Sequence, residues 1–323
     1  MSTANPVPET WELTGDDARE TLKRTGTKAL TKDSFRRFRV SDGFSHARSL
    51  AYLTTMVFLQ GVIALVGLAS ALGKGGLSDL IVKTLQTAVP GPASSALTDA
   101  VKQAHKAGSS HRYLALMLGL TAAIITGTTL MGQIERALNR IYGIEQDRPT
   151  VQKYVHAFAL AISAGVLVVA AFAALALGRA IGSSATSDSF STVWGILRWP
   201  LALALLAGGI ALMFRHAPKR HQPAWSWLVF GAGVSVVLLL VVTVGLDLMF
   251  QLSSTFGKTY GPLASIVALM LWALLASISL LLGAAIAAQL EAVRAGNTPP
   301  QSPSKVRASE PARENQPEAA LGR

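Results

Sequence analysis

Long apolar segments alternate along this chain with short polar connections. Six of the segments approach or exceed the roughly 20 residues that a helix needs to cross about 30 Å of hydrocarbon. They are residues 52–72, 113–134, 155–177, 199–214, 225–250 and 262–290. The pattern predicts an all-α fold, a polytopic membrane helix bundle with about six transmembrane helices.

The polar region before the first span, residues 1–48, predicts short helices outside the membrane. Residues 14–30 combine a capping threonine, early acids and later bases, which is typical of a helix. Aromatic and basic residues alternate after it, namely Phe35, Arg36, Arg37, Phe38, Arg39 and Phe44. This mixture favours a helix lying in the membrane interface, and a solvated basic linker is the alternative.

Two further segments complete the division into a membrane domain, residues 49–292, and its flanking regions. The connection at residues 73–112 is the largest, and its leucine and isoleucine spacing predicts an amphipathic helix that ends before Pro90. The tail at residues 293–323 contains five prolines and few apolar residues, so it is predicted to be disordered.

The distribution of charged residues predicts how the chain is oriented in the membrane. Only 15% of the 323 residues are charged, yet the net charge is +11. If both termini lie on the same side of the membrane, that side carries 21 of the 29 lysines and arginines. Because positive residues accumulate in cytoplasmic loops, both termini are predicted to be cytoplasmic. The excess positive charge is therefore attributed to a membrane location and not to nucleic-acid binding.

Catalytic motifs are lacking in the sequence. The six histidines form no H-E-x-x-H pair, and neither a G-x-S-x-G elbow nor a P-loop lysine is found. The chain has no cysteine, which excludes disulfides and thiol nucleophiles. We therefore expect no enzyme activity, no metal and no cofactor.

Polar residues within the spans are the candidates for a cavity or a coupling site, because hydrocarbon makes them costly. Asp247 lies near the outer end of the fifth span, where it either pairs at the interface or lines a cavity. The other candidates are Gln60, Thr126, Thr128 and Thr129. For each of these, hydrogen bonds that hold the bundle together are the alternative.

Three stretches together resemble the YihY/BrkB family of bacterial inner-membrane proteins. They are RALNRIYGIEQDRP, MFRHAPKRHQPAW and the sixth span with the residues before it. The residues that carry the resemblance are Leu138, Asn139, Ile141, Tyr142, Phe214, Arg215, Pro218, Tyr260, Gly261, Trp272 and Gly283. The resemblance implies a six-span protein of the cytoplasmic membrane, in a family linked to envelope integrity and also given a ribonuclease label.

Three functions remain open at this point. The first is a transporter or lipid-translocating protein of the cell envelope, and the second is a non-transporting scaffold that binds lipids or envelope partners. An enzyme of lipid or RNA metabolism ranks lowest, because no acid–base pair accompanies a phosphate site. The expected partners are membrane lipids, with envelope proteins or a second copy of the chain as further possibilities, and no nucleic acid.

Overall fold

The computed structural model describes residues 4–10, 12, 15–71, 76–89, 91–184, 188–252, 263–296 and 300. These residues form nine α-helices and contain no strand. The helices are α1 (Gly15–Thr25), α2 (Thr27–Val40), α3 (Gly43–Ala71), α4 (Gly76–Ala88), α5 (Gly91–Tyr142), α6 (Thr150–Ser184), α7 (Asp188–His216), α8 (Trp225–Leu252) and α9 (Ala264–Arg294). The predicted all-α fold is thereby confirmed.

Six helices among the described residues are long and apolar enough to cross a membrane, in agreement with the predicted number. The segments that meet this condition are Gly43–Leu68, Leu116–Tyr142, Thr150–Ala176, Thr192–His216, Trp225–Leu252 and Ala264–Arg294. Several begin before or end after the predicted apolar segments, because their polar ends stay helical and pack against one another. We call the end of the bundle that carries residues 4–42 the N-terminal face, and the opposite end the far face.

The sixth span, α9, lies at the centre of the bundle. It packs against α2 and against the spans α3, α5 and α8. We call α3, α5, α8 and α9 the core; α6 and α7 add buried residues to the same apolar cluster. By contrast, α6 packs on α5 and on α7, and α7 packs on α8. The α6–α7 hairpin therefore flanks the core, joined to it through α5 on one side and α8 on the other.

The first two helices pack on the N-terminal face. The predicted helix at residues 14–30 is divided at Gly26, whose φ of +76° is a conformation that favours glycine. After this break, α2 turns one side toward α9 and buries Leu30, Ser34, Arg37 and Phe38. The basic segment is therefore a packed helix on this side and not a fully solvated linker.

The far half of the bundle is filled by α4 and the first part of α5. Ile81 and Leu85 of α4 are buried, as the leucine spacing predicted, beside Leu97 of α5. Gly91 lies against Asp247 and Phe250 near the end of α8, while Leu116 lies against Gly67 near the end of α3. A straight helix over that stretch would be about 37 Å long. Since both of its ends lie at the level of the span ends, α5 bends before it enters its span.

Glycine allows α8 and α9 to approach closely. A methyl group on Gly283 would lie 2.6 Å from the carbonyl oxygen of Gly231 and would overlap the side chain of Ser235. A methyl group on Gly231 would lie 2.8 Å from the Cβ of Ala287. Small residues here therefore set the distance between two spans of the core.

Candidate functional site

Charged and polar side chains are buried together at the N-terminal face. Apolar packing surrounds them on the membrane side, where Phe38, Leu138 and Phe214 are almost completely buried. The most deeply buried polar members are Arg37, Glu135, Asn139, Tyr142, Arg220, Gln289 and Glu291. Such a concentration is costly unless the groups satisfy one another, so its internal bonds decide what it can do.

Arg37 occupies the centre of this buried region. Its side chain is fully buried, and its Nε donates to the Oε1 of Gln289 at 2.9 Å. Its Nη1 donates to the carbonyl oxygen of Ile141 at 3.0 Å and to that of Asn5. Burial lowers the pKa of the guanidinium to about 10, against the opposing charge of Glu291, so Arg37 remains positive at neutral pH.

Arg220 and Glu291 form a buried ion pair beside Arg37. The Nη2 of Arg220 donates to the Oε1 of Glu291 at 2.5 Å, and the two side chains are 3% and 1% exposed. The guanidinium also stacks over the ring of Tyr142 at 4.8 Å from its centroid. We call Arg37, Tyr142, Arg220, Gln289 and Glu291 the Glu291 cluster.

The N-terminal segment, residues 4–10, lies over the Glu291 cluster. Its backbone pairs with the end of α5, where the amide of Val7 donates to the carbonyl oxygen of Tyr142 at 3.0 Å. Thr10 donates its hydroxyl to the Oε1 of Glu291, and the carbonyl oxygens of Val7 and Pro8 accept from Arg220. The segment therefore covers the ion pair from the side of the polar phase.

A second group of charges surrounds Asp147 in the connection between α5 and α6. Asp147 accepts from the Nδ2 of Asn139 at 3.0 Å and lies 3.3 Å from both Lys153 Nζ and Arg136 Nε. Burial by itself raises the pKa of Asp147, but the hydrogen bond from Asn139 and the charge of Lys153 together hold it below its usual value. Asp147 is therefore a carboxylate at neutral pH.

The connection after α7, residues 217–224, is bound to α5 through Arg148 and Asn139, which lie beside Asp147. Arg148 lies 3.0 Å from the buried carboxylate of Glu135 and donates to the carbonyl oxygens of Ala217 and Pro218. The Oδ1 of Asn139 accepts from the amide of Lys219 at 2.9 Å. Together with the Arg220–Glu291 pair, these bonds tie the end of the α6–α7 hairpin to α5 and α9.

Acid is expected to weaken the fold through Asp147. Its pKa is lower in the folded chain than in the unfolded chain, where it is about 3.9. The resulting stability is complete above that value and is lost as the pH falls through the lower, folded pKa. In thermal unfolding scans between pH 6 and pH 3, Asp147→Asn should flatten the loss of stability below pH 4. The exposed Asp99, which pairs with Lys102 on the surface of α5, supplies the control Asp99→Asn, which should leave the profile unchanged. Parallel profiles for the wild type and Asp147→Asn would contradict this assignment.

The candidates inside the spans are not brought together into one site. Gln60 is half-buried on α3, and its Oε1 has no hydrogen-bond partner among the described residues. Thr128 and Thr129 donate to the carbonyl oxygens of Ile124 and Ile125 in their own helix. Thr126 is half-buried on the same helix. Thr128 and Thr129 therefore satisfy their hydroxyls within α5 and not across helices.

Asp247 lies at the far end of α8. Its Oδ2 accepts from the Nε2 of Gln251 at 2.6 Å, and its Oδ1 is close to Gly91 at the start of α5. A carboxylate beside the first turn of a helix is favourably placed, because unpaired amides there carry partial positive charge. This geometry matches the pairing alternative for Asp247 and places it apart from the clusters at the N-terminal face.

The residues that carried the family resemblance converge on the N-terminal face. Leu138 and Ile141 are buried in the core, and Asn139 and Tyr142 belong to the two charged groups. Phe214 is buried, Arg215 stacks over Trp225 at 4.7 Å, and Pro218 accepts from Arg148.

The remaining residues of that set lie elsewhere. Trp272 donates to the hydroxyl of Thr243 in the far half, and Gly283 lies at the α8–α9 contact. Tyr260 and Gly261 lie outside the described residues.

A cavity of about 10 Å³ lies between α4, α6 and α7, close to the volume that a single water requires. It is lined by Thr84, Thr87, Leu175, Arg198 and Trp199. The described residues also contain no group of three or more histidines and carboxylates placed to hold a metal ion.

Sequence reasoning missed the most buried members of the site. Arg37 was grouped with the interfacial bases, and Arg220 was assigned to the connection after the fourth span. Glu291 lay within the predicted membrane domain, just after the end of the last span at residue 290, and was given no role. The separation of 71 residues between Arg220 and Glu291 gives no local signal. The one local signal that could have indicated a buried partner is the position of Glu291 directly after a long apolar run.

Comparison with known proteins agrees with the helical bundle. A family model described as virulence factor BrkB matches residues 34–308. The chain is 24% identical over 267 residues to a ribonuclease-like protein, YfkH, of Bacillus subtilis strain 168, covering 81% of this chain and 95% of that protein. It is 26% identical over 302 residues to a UPF0761 membrane protein of Xanthomonas campestris pv. campestris strain B100, covering 91% of this chain and 66% of that protein. No solved structure gives a significant match. With six apolar spans and a family match over most of its length, the chain belongs to the virulence factor BrkB family of multi-span membrane proteins.

Proposed function

We propose that this protein is a transporter of lipids or other amphipathic solutes, in which the α6–α7 hairpin moves relative to the core and the N-terminal face forms a gate. The observation that carries the proposal is the way the end of the hairpin is held. Arg148, Asn139 and the Arg220–Glu291 pair bind residues 217–224 to the core through buried polar bonds. Each of these bonds can be exchanged for a bond to water or to a polar headgroup.

A buried ion pair, and not apolar packing alone, joins the end of the α6–α7 hairpin to α9, and this supports movement of the hairpin. A buried ion pair adds little net stability, because desolvation of both charges offsets their attraction. A purely structural joint at this place would be at least as stable with packed apolar residues. Buried charges between the hairpin and the core are, however, suited to an interface that separates and re-forms, since water can solvate the charges once the interface opens.

The described conformation corresponds to the closed state of such a transporter. Residues 4–10 cover the Glu291 cluster at one end, and α4 with the first part of α5 fills the far half. The cavity of about 10 Å³ is too small for a solute other than water. Transport therefore requires an opening of at least one of these two closures.

Hydrogen bonds of polar side chains within single helices favour a second candidate, a non-transporting scaffold. Asp247 pairs with Gln251 at the end of a span, and Thr128 and Thr129 of α5 bond within their own helix. A scaffold needs neither a cavity nor ionisable groups at the middle of the membrane. Both candidates place the protein in the bacterial cytoplasmic membrane with both termini inside, with membrane lipids as partners and without enzyme activity.

A disulfide between the hairpin and the core distinguishes these candidates. The chain contains no cysteine, so an introduced pair has no competitor. The Cβ positions of residues 127 on α5 and 161 on α6 are 3.9 Å apart, within the range of a disulfide. We expect Gly127→Cys with Ala161→Cys to lower phospholipid translocation in liposomes at least tenfold when oxidised. Reduction should restore it.

The measurement follows labelled short-chain phospholipid by albumin extraction, which leaves disulfides intact. A matched control joins α6 to α7 within the hairpin, where the Cβ positions of residues 167 and 209 are 3.6 Å apart. Leu167→Cys with Gly209→Cys should translocate equally in both redox states. Absence of translocation by the folded, correctly inserted wild type would refute lipid transport. Equal transport by the oxidised 127–161 variant would refute movement of the hairpin.

A further inference from the structure

An aromatic and basic surface runs along the outer side of α2. Opposite its buried residues, this helix exposes Lys28, Lys32, Phe35, Arg36 and Arg39. Their spacing places them on one face, because residues three and four apart are neighbours on a helix. The helix therefore separates one positive charge that is internal, Arg37, from four that face outward.

Two exposed phenylalanines place this surface at the membrane boundary. Phe44 is 45% exposed at the start of α3, where the first span begins at Gly43. Phe35 of α2 is 46% exposed, and its ring centroid lies 6.4 Å from that of Phe44. Both rings contact the buried Phe38, which fixes the corner between the two helices. Exposed aromatic rings at the start of a span suit the zone of lipid headgroups.

The arginines beside these rings have no acidic partner in the part of the chain that the structure describes. Arg36 and Arg39 are exposed on α2, and Arg48 is exposed one turn after Phe44 on α3. Elsewhere on the same face, Arg24 of α1 pairs with Glu20, and Arg294 of α9 pairs with Asp17. The α2–α3 corner thus carries two exposed rings and, on the same two helices, three exposed guanidinium groups without an acidic partner among the described residues.

We propose that this corner, formed by Phe35, Arg36, Arg39, Phe44 and Arg48, is a binding site for the phosphate headgroup of an acidic phospholipid. Guanidinium groups form paired hydrogen bonds with phosphate oxygens, and each base near an anionic surface strengthens binding about fivefold. The rings contact the glycerol and upper acyl region of the same lipid. A lipid fits better than a nucleic acid, because the phenylalanines lie at the start of a membrane span.

Lipid retention by the purified full-length chain tests this site. Native mass spectrometry of the protein in an uncharged detergent, with equal amounts of phosphatidylglycerol and phosphatidylcholine of matched acyl chains, reports the preference directly. The wild type should retain phosphatidylglycerol preferentially. The triple variant Arg36→Gln, Arg39→Gln, Arg48→Gln should lose this preference at least tenfold, and Phe35→Ser with Phe44→Ser should weaken it.

Two matched variants separate a site from general charge and from misfolding. Arg19→Gln, Lys23→Gln and Arg24→Gln remove the same charge from exposed positions of α1, and should leave the preference intact. Arg36→Lys, Arg39→Lys and Arg48→Lys keep the charge and should retain most of the binding. Equal loss in the α1 variant, or no preference in the wild type, would overturn the proposal.

One further outcome identifies a different ligand. If a short RNA oligonucleotide binds the wild type and not the Arg36, Arg39, Arg48 variant, while phosphatidylglycerol shows no preference, the site belongs to nucleic acid and the lipid assignment is wrong. The proposed lipid site is independent of transport. Its failure would leave the result of the 127–161 disulfide unchanged, and the reverse also holds.

Discussion

Replacing Glu291 with glutamine is expected to destabilise the folded protein by about 3 kcal/mol or more. Glutamine has the same shape and still accepts the hydrogen bonds of Arg220 and Thr10, so the change removes only the negative charge. Arg220 and Arg37 would then be buried together as two positive charges without a counter-charge. The decrease in thermal unfolding temperature of the purified protein in detergent measures this effect.

The same substitution on the surface provides the control. Glu20 pairs with Arg24 one helical turn away on α1, where both side chains are more than 60% exposed. Glu20→Gln should therefore change stability by less than about 0.5 kcal/mol. A comparably small effect for Glu291→Gln would show that the Arg220–Glu291 contact carries no ionic stabilisation, and it would remove the main support for a gate.

A double variant separates stability from function at this pair. Arg220→Met with Glu291→Leu replaces both charges by apolar groups, and should recover most of the stability lost in Glu291→Gln. Water cannot replace apolar contacts as it replaces an ion pair, so opening of the N-terminal face becomes harder. A stable double variant with reduced translocation would support the gate, whereas unchanged translocation would contradict it.

Gly283→Ala is expected to destabilise the protein by about 1 to 3 kcal/mol. The added methyl group would lie 2.6 Å from the carbonyl oxygen of Gly231 and would overlap Ser235, so α8 and α9 would have to separate. Both helices belong to the core, and the strain cannot be relieved by rotation of one flexible side chain. Thermal unfolding in detergent again provides the measurement.

Gly165 on α6 supplies a control with the same substitution. No atom lies within 4 Å of a methyl group built at this position, and its backbone is ordinary helix. Gly165→Ala should be neutral or raise stability by up to about 1 kcal/mol, because alanine is the better helix former. Equal behaviour of the two alanine variants would contradict the close α8–α9 packing.

Glycine positions illustrate what a sequence pattern leaves undecided. Small residues four apart occur at Gly283 and Ala287, and also at Ala161 and Gly165 and at Ala204 and Gly208. Of these three glycines, Gly283 lies against a neighbouring helix, while Gly165 and Gly208 have open space. The spacing is identical at all three places, so the local pattern cannot distinguish them.

The candidate site shows the same limitation more strongly. Asp247 and Gln60 were selected because they interrupt apolar runs, yet the largest group of interacting charges is formed by residues outside those runs. Arg37 was expected in the interface with Arg36 and Arg39, but one position on a helix changes the direction of a side chain by about 100°. Arg37 points to α9, whereas its neighbours point outward.

The amino-acid sequence by itself determined the all-α fold, the number of spans and the amphipathic helix α4. These follow from local patterns, because the cost of placing charge in hydrocarbon limits where a helix can cross. Tertiary structure alone decided that Arg220 meets Glu291, that Arg148 holds the end of α7, and that residues 4–10 cover the Arg220–Glu291 pair. Those contacts join segments far apart in the chain, and their partners depend on how the helices pack, which no local periodicity encodes.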